Sequence, residues 1–108
     1  MKQTRFVREM MREIANAPLA QQAIMLGDVD IYRLEAFLTG FELATIRGGR
    51  GERTFGEFTI WLRDVTKEHP SLGWPRYFLD RADGDHAKAL ALVSQRIREF
   101  LEIHQGQS

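Results

Sequence analysis

Apolar side chains recur every three or four positions along most of the chain, the spacing that lines one face of an α-helix. The pattern predicts helices over residues 3–16, 18–26, 31–46, 54–67 and 86–104, with a further short helical turn over residues 75–79. No convincing alternation typical of a strand is present. We therefore predict an all-α fold, a single compact bundle of about five helices with short loops, covering residues 1–108 as one domain with a frayed polar tail at 104–108.

Several polar residues stand where a helix N-terminus needs an acceptor for its free backbone N–H groups. Asp28 or Asp30 precedes the third helix, and Asp85 precedes the last one. Thr54 is followed three residues later by Glu57, which is the spacing of a capping box. These positions predict the N-terminal ends of three helices.

Two glycines have different expected roles. Gly27 follows the last apolar residue of the second helix, where glycine is a favoured C-terminal stop. Gly40 lies inside the most apolar helix, where it costs about 1 kcal/mol relative to alanine. We interpret Gly40 as a point of close approach by a neighbouring helix rather than as a functional hinge.

The helical pattern breaks once, after Glu68, in the aromatic segment at residues 69–78. Trp74 in this segment can fill the end of the core, and it can also serve as a binding hot spot, a role in which tryptophan and arginine are enriched. Arg76 is expected to be more exposed than its aromatic neighbours. Trp74 and Arg76 are therefore both candidate partner-binding residues.

Composition excludes some classes of protein and leaves others open. Lys and Arg together number 15, as do Asp and Glu, so the formal net charge is zero. Proteins that bind duplex nucleic acid usually carry a basic excess. The chain has no cysteine, which excludes disulfides and thiolate metal sites. No apolar run is typical of a signal peptide or a membrane span, and we expect a cytoplasmic protein.

Catalytic and metal-binding patterns are weak. Asp80, Asp83, Asp85 and His86 are close in sequence but lack the spacing of a calcium loop. The serine at position 71 has no oxyanion framework around it. The residues predict no enzyme activity, no cofactor and no metal site.

The loop at residues 47–53 is rich in glycine and arginine, and it matches no phosphate-binding motif. Arg47, Arg50 and Arg53 form a basic cluster that can bind carboxylates or phosphates in bidentate geometry. We predict that this loop contributes to a partner-binding surface. An alternative interpretation is a nucleic-acid-associated regulator that uses the basic N-terminal helix, with Lys2, Arg5, Arg8 and Arg12 on its outer face.

A core pattern from Leu34 to Leu101 resembles a group of small bacterial proteins that are found beside secreted or contact-delivered toxins. The matching positions are Leu34, Phe37, Leu38, Gly40, Phe41, Phe58, Trp61, Leu62, Trp74, Ala89, Leu90, Phe100 and Leu101. The resemblance implies an immunity protein that occludes a toxin. This chain departs from the acidic bias of immunity proteins against nucleases, which leaves the class of toxin open.

Together these observations predict a non-enzymatic domain that binds a protein partner and acts by steric occlusion. The resemblance implies that this partner is a toxin. We expect neither nucleic acid nor a membrane as partner, and either a monomer or a homodimer. The predicted binding surface comprises Arg47, Arg50, Arg53, Trp74 and Arg76.

Overall fold

The computed structural model describes residues 6–49 and 51–104, and within these ranges all regular structure is helical. The described elements are α1 (Phe6–Asn16), α2 (Leu19–Leu26), α3 (Ile31–Arg47), α4 (Thr54–Trp61), a π-helix (Leu62–Thr66) that extends α4, α5 (Trp74–Arg81) and α6 (His86–Ile103). The all-α prediction is confirmed. The described part has six α-helices rather than five because the aromatic segment forms a full helix, α5. The predicted tail and the first residues of the first predicted helix lie outside the described residues.

Local end signals explain three of the helix boundaries. The Asp30 carboxylate accepts the backbone N–H of Tyr32 at 2.8 Å, and the Asp85 carboxylate accepts those of Ala87 and Lys88. Gly27 ends α2 in the left-handed region with a φ of 87°. The predictions at Asp30, Asp85 and Gly27 are therefore confirmed.

The capping box predicted at Thr54 and Glu57 is wrong. Thr54 lies inside α4 as its first residue, and the Glu57 N–H that the box would use donates to the Arg53 carbonyl at 2.9 Å. Instead Glu42, on α3, accepts the N–H groups of Phe55 and Gly56 at 2.7 and 3.0 Å. A carboxylate twelve or more residues away in sequence replaces the local cap, because the packing of α3 against α4 places it over the helix start.

The start of α1 is held in the same way. Glu52, in the loop before α4, accepts the N–H groups of Val7 and Arg8 with Oε1 at 3.0 and 3.4 Å. Such carboxylates satisfy amides that a helix leaves unpaired and interact favourably with its dipole. The same short stretch of chain thus ties α1 to the α3–α4 corner.

The long helix predicted over residues 54–67 changes geometry before it ends. After Trp61 it continues as a π-helix, and Lys67 then adopts the left-handed region with a φ of 62°. The Glu68 N–H donates to the Leu62 carbonyl at 2.8 Å, which closes this end. The wider turn redirects the chain so that Glu68 is buried against α6.

The centre of the bundle is an antiparallel pair formed by α1 and α6. Arg8, near the start of α1, donates to the Leu101 carbonyl near the end of α6 at 2.7 Å, and Arg98 donates to the Ala15 carbonyl at the other end. Gln22 of α2 donates to the Ile14 carbonyl and to Ser94 at 2.8 and 3.2 Å. Arg8 and Gln22 are buried and Arg98 is exposed, and all three satisfy carbonyl groups near helix ends, so that apolar packing continues between them.

Aromatic side chains join α4, α5 and α6. Trp74 meets Phe55, Phe58 and Phe78 edge-on, with ring centroids 6.2, 6.3 and 6.4 Å away, and Phe58 meets Phe100 at 5.5 Å. Trp74 is only 1% exposed. The interpretation of Trp74 as a core residue is confirmed.

Gly40 does not have the role expected from the sequence. It lies on an exposed face of α3, and a Cβ built there would meet nothing within 4 Å. The prediction of close helix packing at Gly40 is therefore wrong. The hydrophobic pattern alone could not show that this position faces solvent, because glycine has no side chain whose polarity would indicate a buried or an exposed position.

Over residues 6–49 and 51–104, no helix combines the length and apolar character needed to cross a membrane.

Candidate functional site

A groove runs between α3 and α4, with a volume of about 370 Å³. One wall is a single face of α3, formed by Glu35, Thr39, Glu42, Leu43 and Ile46. The other wall and the floor are formed by Phe55, Gly56, Thr59, His69 and Trp74. We call this the α3–α4 groove. At 1.5 Å per residue, its α3 wall is about 16 Å long, or three helical turns.

Gly56 keeps the groove open on the α4 side. It has no side chain to fill the groove, and a Cβ placed there would lie 3.3 Å from Glu42 Oε2. Glycine in a helix normally costs about 1 kcal/mol relative to alanine. Gly56 therefore accommodates the Glu42 carboxylate over the first turn of α4 and leaves space beside it.

Apolar side chains give the groove its surface. Leu43 is 47% exposed, and Ile46 is partly exposed one turn further along α3. The aromatic floor under them, Phe55 and Trp74, is buried and held by the aromatic contacts described above. The groove therefore has two accessible apolar side chains at one end of its α3 wall, beside the polar Glu35, Thr39 and Glu42, above a buried aromatic floor.

Two arginines lie at the ends of the two helices that form the groove, although neither lines it. Arg47 is the last residue of α3, and Arg53 directly precedes α4; both are exposed. Among the described residues, neither forms an ion pair within 4.0 Å. Both guanidinium groups are therefore available to an acidic partner.

Glu42 is an acidic group near Arg53 that holds the fold together. Burial raises the pKa of its carboxyl above the ordinary value of 4.5, against the opposing effect of the Phe55 and Gly56 N–H groups and the Arg53 charge. Its two oxygens are already occupied by backbone donors. Glu42 thus caps α4, and its carboxylate also interacts electrostatically with Arg53.

The structure brings together only part of the predicted site. Arg47 ends α3 and Arg53 precedes α4, while Arg50 lies outside the described residues. Trp74 supports the floor as a buried core residue, so its predicted place on an exposed binding surface is corrected. Arg76 is exposed on α5, bonded to Asp80 at 3.0 Å, and it interacts with Tyr32 in the first turn of α3. It is therefore distant from Arg47, at the other end of that helix.

The basic N-terminal face expected for a nucleic-acid regulator is also reduced. Arg8 is buried and donates to the Leu101 carbonyl, so its predicted exposure is wrong. Arg12 is exposed beside Glu9 and Glu13 in a shallow depression. Lys2 and Arg5 lie outside the described residues.

The other sequence candidates for chemistry have structural roles. Asp85 caps α6, and His86 Nδ1 accepts the Ile31 N–H at 3.1 Å, which fixes the start of α3. Within the described ranges, no group of three or more His, Asp or Glu side chains is arranged to hold a metal ion.

Sequence reasoning missed Glu42 and Gly56. A signal was present, since a glycine in the first turn of a predicted helix indicates that another group approaches the backbone there. Which group approaches depends on the packing of α3, and no local pattern identifies it.

Comparison of the chain with models of protein families, with curated proteins and with solved structures gave no significant match.

Proposed function

We propose that this protein is a non-enzymatic protein-binding domain whose binding surface is the α3–α4 groove together with Arg47 and Arg53. The observation that supports the proposal best is a groove with two accessible apolar side chains, Leu43 and Ile46, next to helix ends that carry two exposed arginines. Neither arginine forms an ion pair within 4.0 Å among the described residues. In isolation such an arrangement leaves apolar area in water. A partner that covers it gains both apolar burial and charge-assisted hydrogen bonds.

The character of the surface favours a protein partner. Interfaces between proteins are enriched in arginine and in large apolar groups, and they form around rigid, well-packed centres. The aromatic floor supplies such a centre, because Phe55 and Trp74 are locked by their neighbours. A nucleic-acid surface would need a series of exposed cations. On α1, Arg8 is buried and bonded to the Leu101 carbonyl, and Arg12 lies beside two glutamates.

The resemblance to small proteins encoded beside bacterial toxins suggests a biological role. We propose an immunity protein that neutralises a toxin by steric occlusion, with the groove seated over or beside the toxin's active site. Such a mechanism requires no catalytic group. It requires only a rigid surface whose charge and shape match the partner.

The test begins with capture of partners from the native cells by a tagged wild-type protein, followed by identification by mass spectrometry. The purified partner is then titrated against the double variant Arg47→Glu/Arg53→Glu. We expect at least a tenfold loss of affinity, because two charge-assisted contacts become repulsive. If the partner is a toxin, the wild-type protein should block its activity and the double variant should not.

A matched control changes the same charge elsewhere. Arg12→Glu/Arg63→Glu alters two exposed arginines on other parts of the molecule and produces the same net charge. Equal weakening by both double variants would show that general electrostatics, rather than this surface, governs binding. Arg76→Glu, measured separately, decides whether the surface extends to α5. Recovery of nucleic acid that is lost at high salt would overturn the protein-binding proposal.

A further inference from the structure

One histidine ties the start of α3 to the start of α6. The N–H of Ile31, the first residue of α3, donates to Nδ1 of His86, the first residue of α6, at 3.1 Å. A backbone N–H can only donate, so Nδ1 carries no proton and the neutral ring has its proton on Nε2. The contact therefore exists in only one of the two charge states of the ring.

The other N–H groups in the first turn of α3 are bonded locally. That of Tyr32 donates to the Asp30 carboxylate at 2.8 Å. Those of Arg33 and Leu34 donate to the Asp30 carbonyl at 3.1 and 3.3 Å. Of the four residues in this turn, only Ile31 donates its N–H to a side chain of another helix. A change in the charge of that side chain should therefore be felt first at Ile31.

Asp30 offers a second partner to the same ring nitrogen. Its Oδ1 lies 3.7 Å from His86 Nδ1, which is about 1 Å longer than a charge-assisted hydrogen bond. This oxygen also accepts the Tyr32 N–H, and a carboxylate oxygen has lone pairs for two donors. The His86 and Asp30 side chains are 33% and 34% exposed, so water reaches both. A small side-chain movement would therefore give a protonated Nδ1 an acceptor.

The charges around the ring come from α3, α5 and α6. The positive N-terminal ends of α3 and α6 disfavour an imidazolium here, whereas the carboxylates of Asp30 and Asp85 favour one. Tyr32 meets the ring edge-on, with centroids 6.3 Å apart. Arg76 of α5, which interacts with Tyr32, is paired with Asp80. The ring thus has a partner in each charge state, a backbone donor when neutral and a carboxylate acceptor when protonated.

We propose that His86 is a pH-sensitive latch between α3 and α6. The neutral ring accepts the Ile31 N–H and holds the first residue of α3 against the start of α6. The protonated ring gives up this bond and donates to Asp30 instead, so that the first residue of α3 loosens while Asp30 continues to cap the helix. Because Ile31 is a fully buried core residue, the latch acts on the packing of α3.

The test follows the Ile31 amide of the wild-type protein by NMR from about pH 8 to pH 5, the range in which histidine side chains ordinarily titrate. At each pH its hydrogen-exchange rate is divided by the rate of an unstructured peptide, which gives a protection factor. We expect this factor to fall about three- to tenfold, the effect of losing one hydrogen bond, in step with the titration of the His86 ring signals. The factors of Tyr32, Arg33 and Leu34 should change much less.

Three variants assign the effect to one histidine. His86→Gln should abolish the pH dependence at Ile31. His104→Gln is the matched control and should leave it unchanged, because His104 lies at the other end of α6, with Nδ1 3.0 Å from the Phe100 carbonyl. Asp30→Asn removes the carboxylate but keeps a residue type that caps helices well. With that negative charge removed, the change at Ile31 should move to lower pH.

Nitrogen-15 spectra of the imidazole rings show which ring nitrogen of His86 carries the proton, and at about pH 8 we expect it on Nε2. A proton on Nδ1 at that pH would overturn the proposal. So would an Ile31 protection factor that stays constant while the His86 ring titrates, or a pH dependence that His104→Gln removes. If His86→Gln does not fold, the wild type and Asp30→Asn decide, because both keep the contact between Ile31 and His86.

Discussion

The α3–α4 groove and the contact between the Glu68 segment and α6 are each organised by a glutamate that tertiary packing brings into place, yet one region is open and the other closed. Glu68 is buried and bonded in bidentate fashion to Arg96 at 2.7 and 3.0 Å, and Arg96 also bonds Glu99 at 2.8 Å. Glu42 has only backbone N–H partners. A crevice of about 150 Å³ remains beside Glu68, against about 370 Å³ in the groove.

The two carboxyls respond in opposite directions to these surroundings. At Glu68, burial opposes ionisation, but the Arg96 hydrogen bonds and the charges of Arg96 and Arg81 outweigh it, and the pKa is lowered. Bonding to Glu68 is likewise the main reason that the pKa of Arg96 is raised. At Glu42 burial prevails, and the pKa is raised. The Glu68 carboxylate, hydrogen-bonded to a cation, stabilises a closed contact, whereas the Glu42 carboxylate bonds only backbone N–H groups at the start of α4.

The largest effect should come from the floor of the groove. Trp74→Ala removes a buried indole from the aromatic cluster, and we expect a loss of about 3–5 kcal/mol in the free energy of unfolding. Leu72→Ala, in the same segment but 74% exposed, should change it by less than about 0.5 kcal/mol. Urea denaturation measures both. A small effect of Trp74→Ala would show that the floor is not part of the core.

The closed region is tested next. Glu68→Gln leaves the partly buried Arg96 with Glu99 as its remaining carboxylate partner, and we expect a loss of about 1–3 kcal/mol. Asp64→Asn breaks the exposed pair with Arg63 and should leave the free energy of unfolding nearly unchanged. Equal unfolding free energies for the two variants would contradict the distinction between a closed and a surface ion pair.

Variants of Glu42 and Glu57 distinguish a helix cap supplied by another helix from one supplied within the same helix. Glu42→Ala leaves the Phe55 and Gly56 N–H groups without their acceptor and should cost about 1 kcal/mol. Glu57→Ala should cost only a few tenths, since Glu57 is exposed and the predicted capping box does not form. If Glu57→Ala lowers the free energy of unfolding in urea more than Glu42→Ala does, the capping box forms and Glu42 is not the main cap of α4.

The two helical glycines sharpen the difference between an open face and the groove wall. Gly40→Ala should raise the free energy of unfolding by about 0.5–1 kcal/mol, because nothing obstructs the added methyl group. Gly56→Ala should gain less or lose stability, because its Cβ lies 3.3 Å from Glu42 Oε2. Thermal melts of the two variants measure the change in stability. Equal gains would mean that the Glu42 side chain moves away from the added methyl group without a loss of stability.

The smallest effect is a difference in pH dependence. Because the folded pKa of Glu42 is raised, its contribution to stability is complete below the ordinary 4.5 and is lost as the pH rises through the raised value. Glu68 has a lowered pKa, so its contribution is present above 4.5 and is lost as the pH falls. Subtracting the stability curves of Glu42→Gln and Glu68→Gln from the wild type should reveal slopes of opposite sign.

The sequence predicted the features that depend on neighbours along the chain. Periodic apolar residues identified the helices, and Asp30, Asp85 and Gly27 marked ends because each acts on backbone groups within a few residues. The basic loop also identified Arg47 and Arg53 as exposed cations. Sequence reasoning failed at Gly40, at the Thr54–Glu57 box and at the exposure of Arg8, where the outcome depends on which helix lies opposite.

By itself, then, the sequence determined an all-helical chain, most of its helix boundaries and the positions of two free arginines. Only the tertiary structure decided that Glu42 would cap α4, that Arg8 would bond the end of α6, and that Trp74 would form a floor beneath an open groove. The physical reason is range: helix periodicity and end caps act over a few residues, whereas a groove is made by two helix faces whose relative placement is set by packing of the whole core.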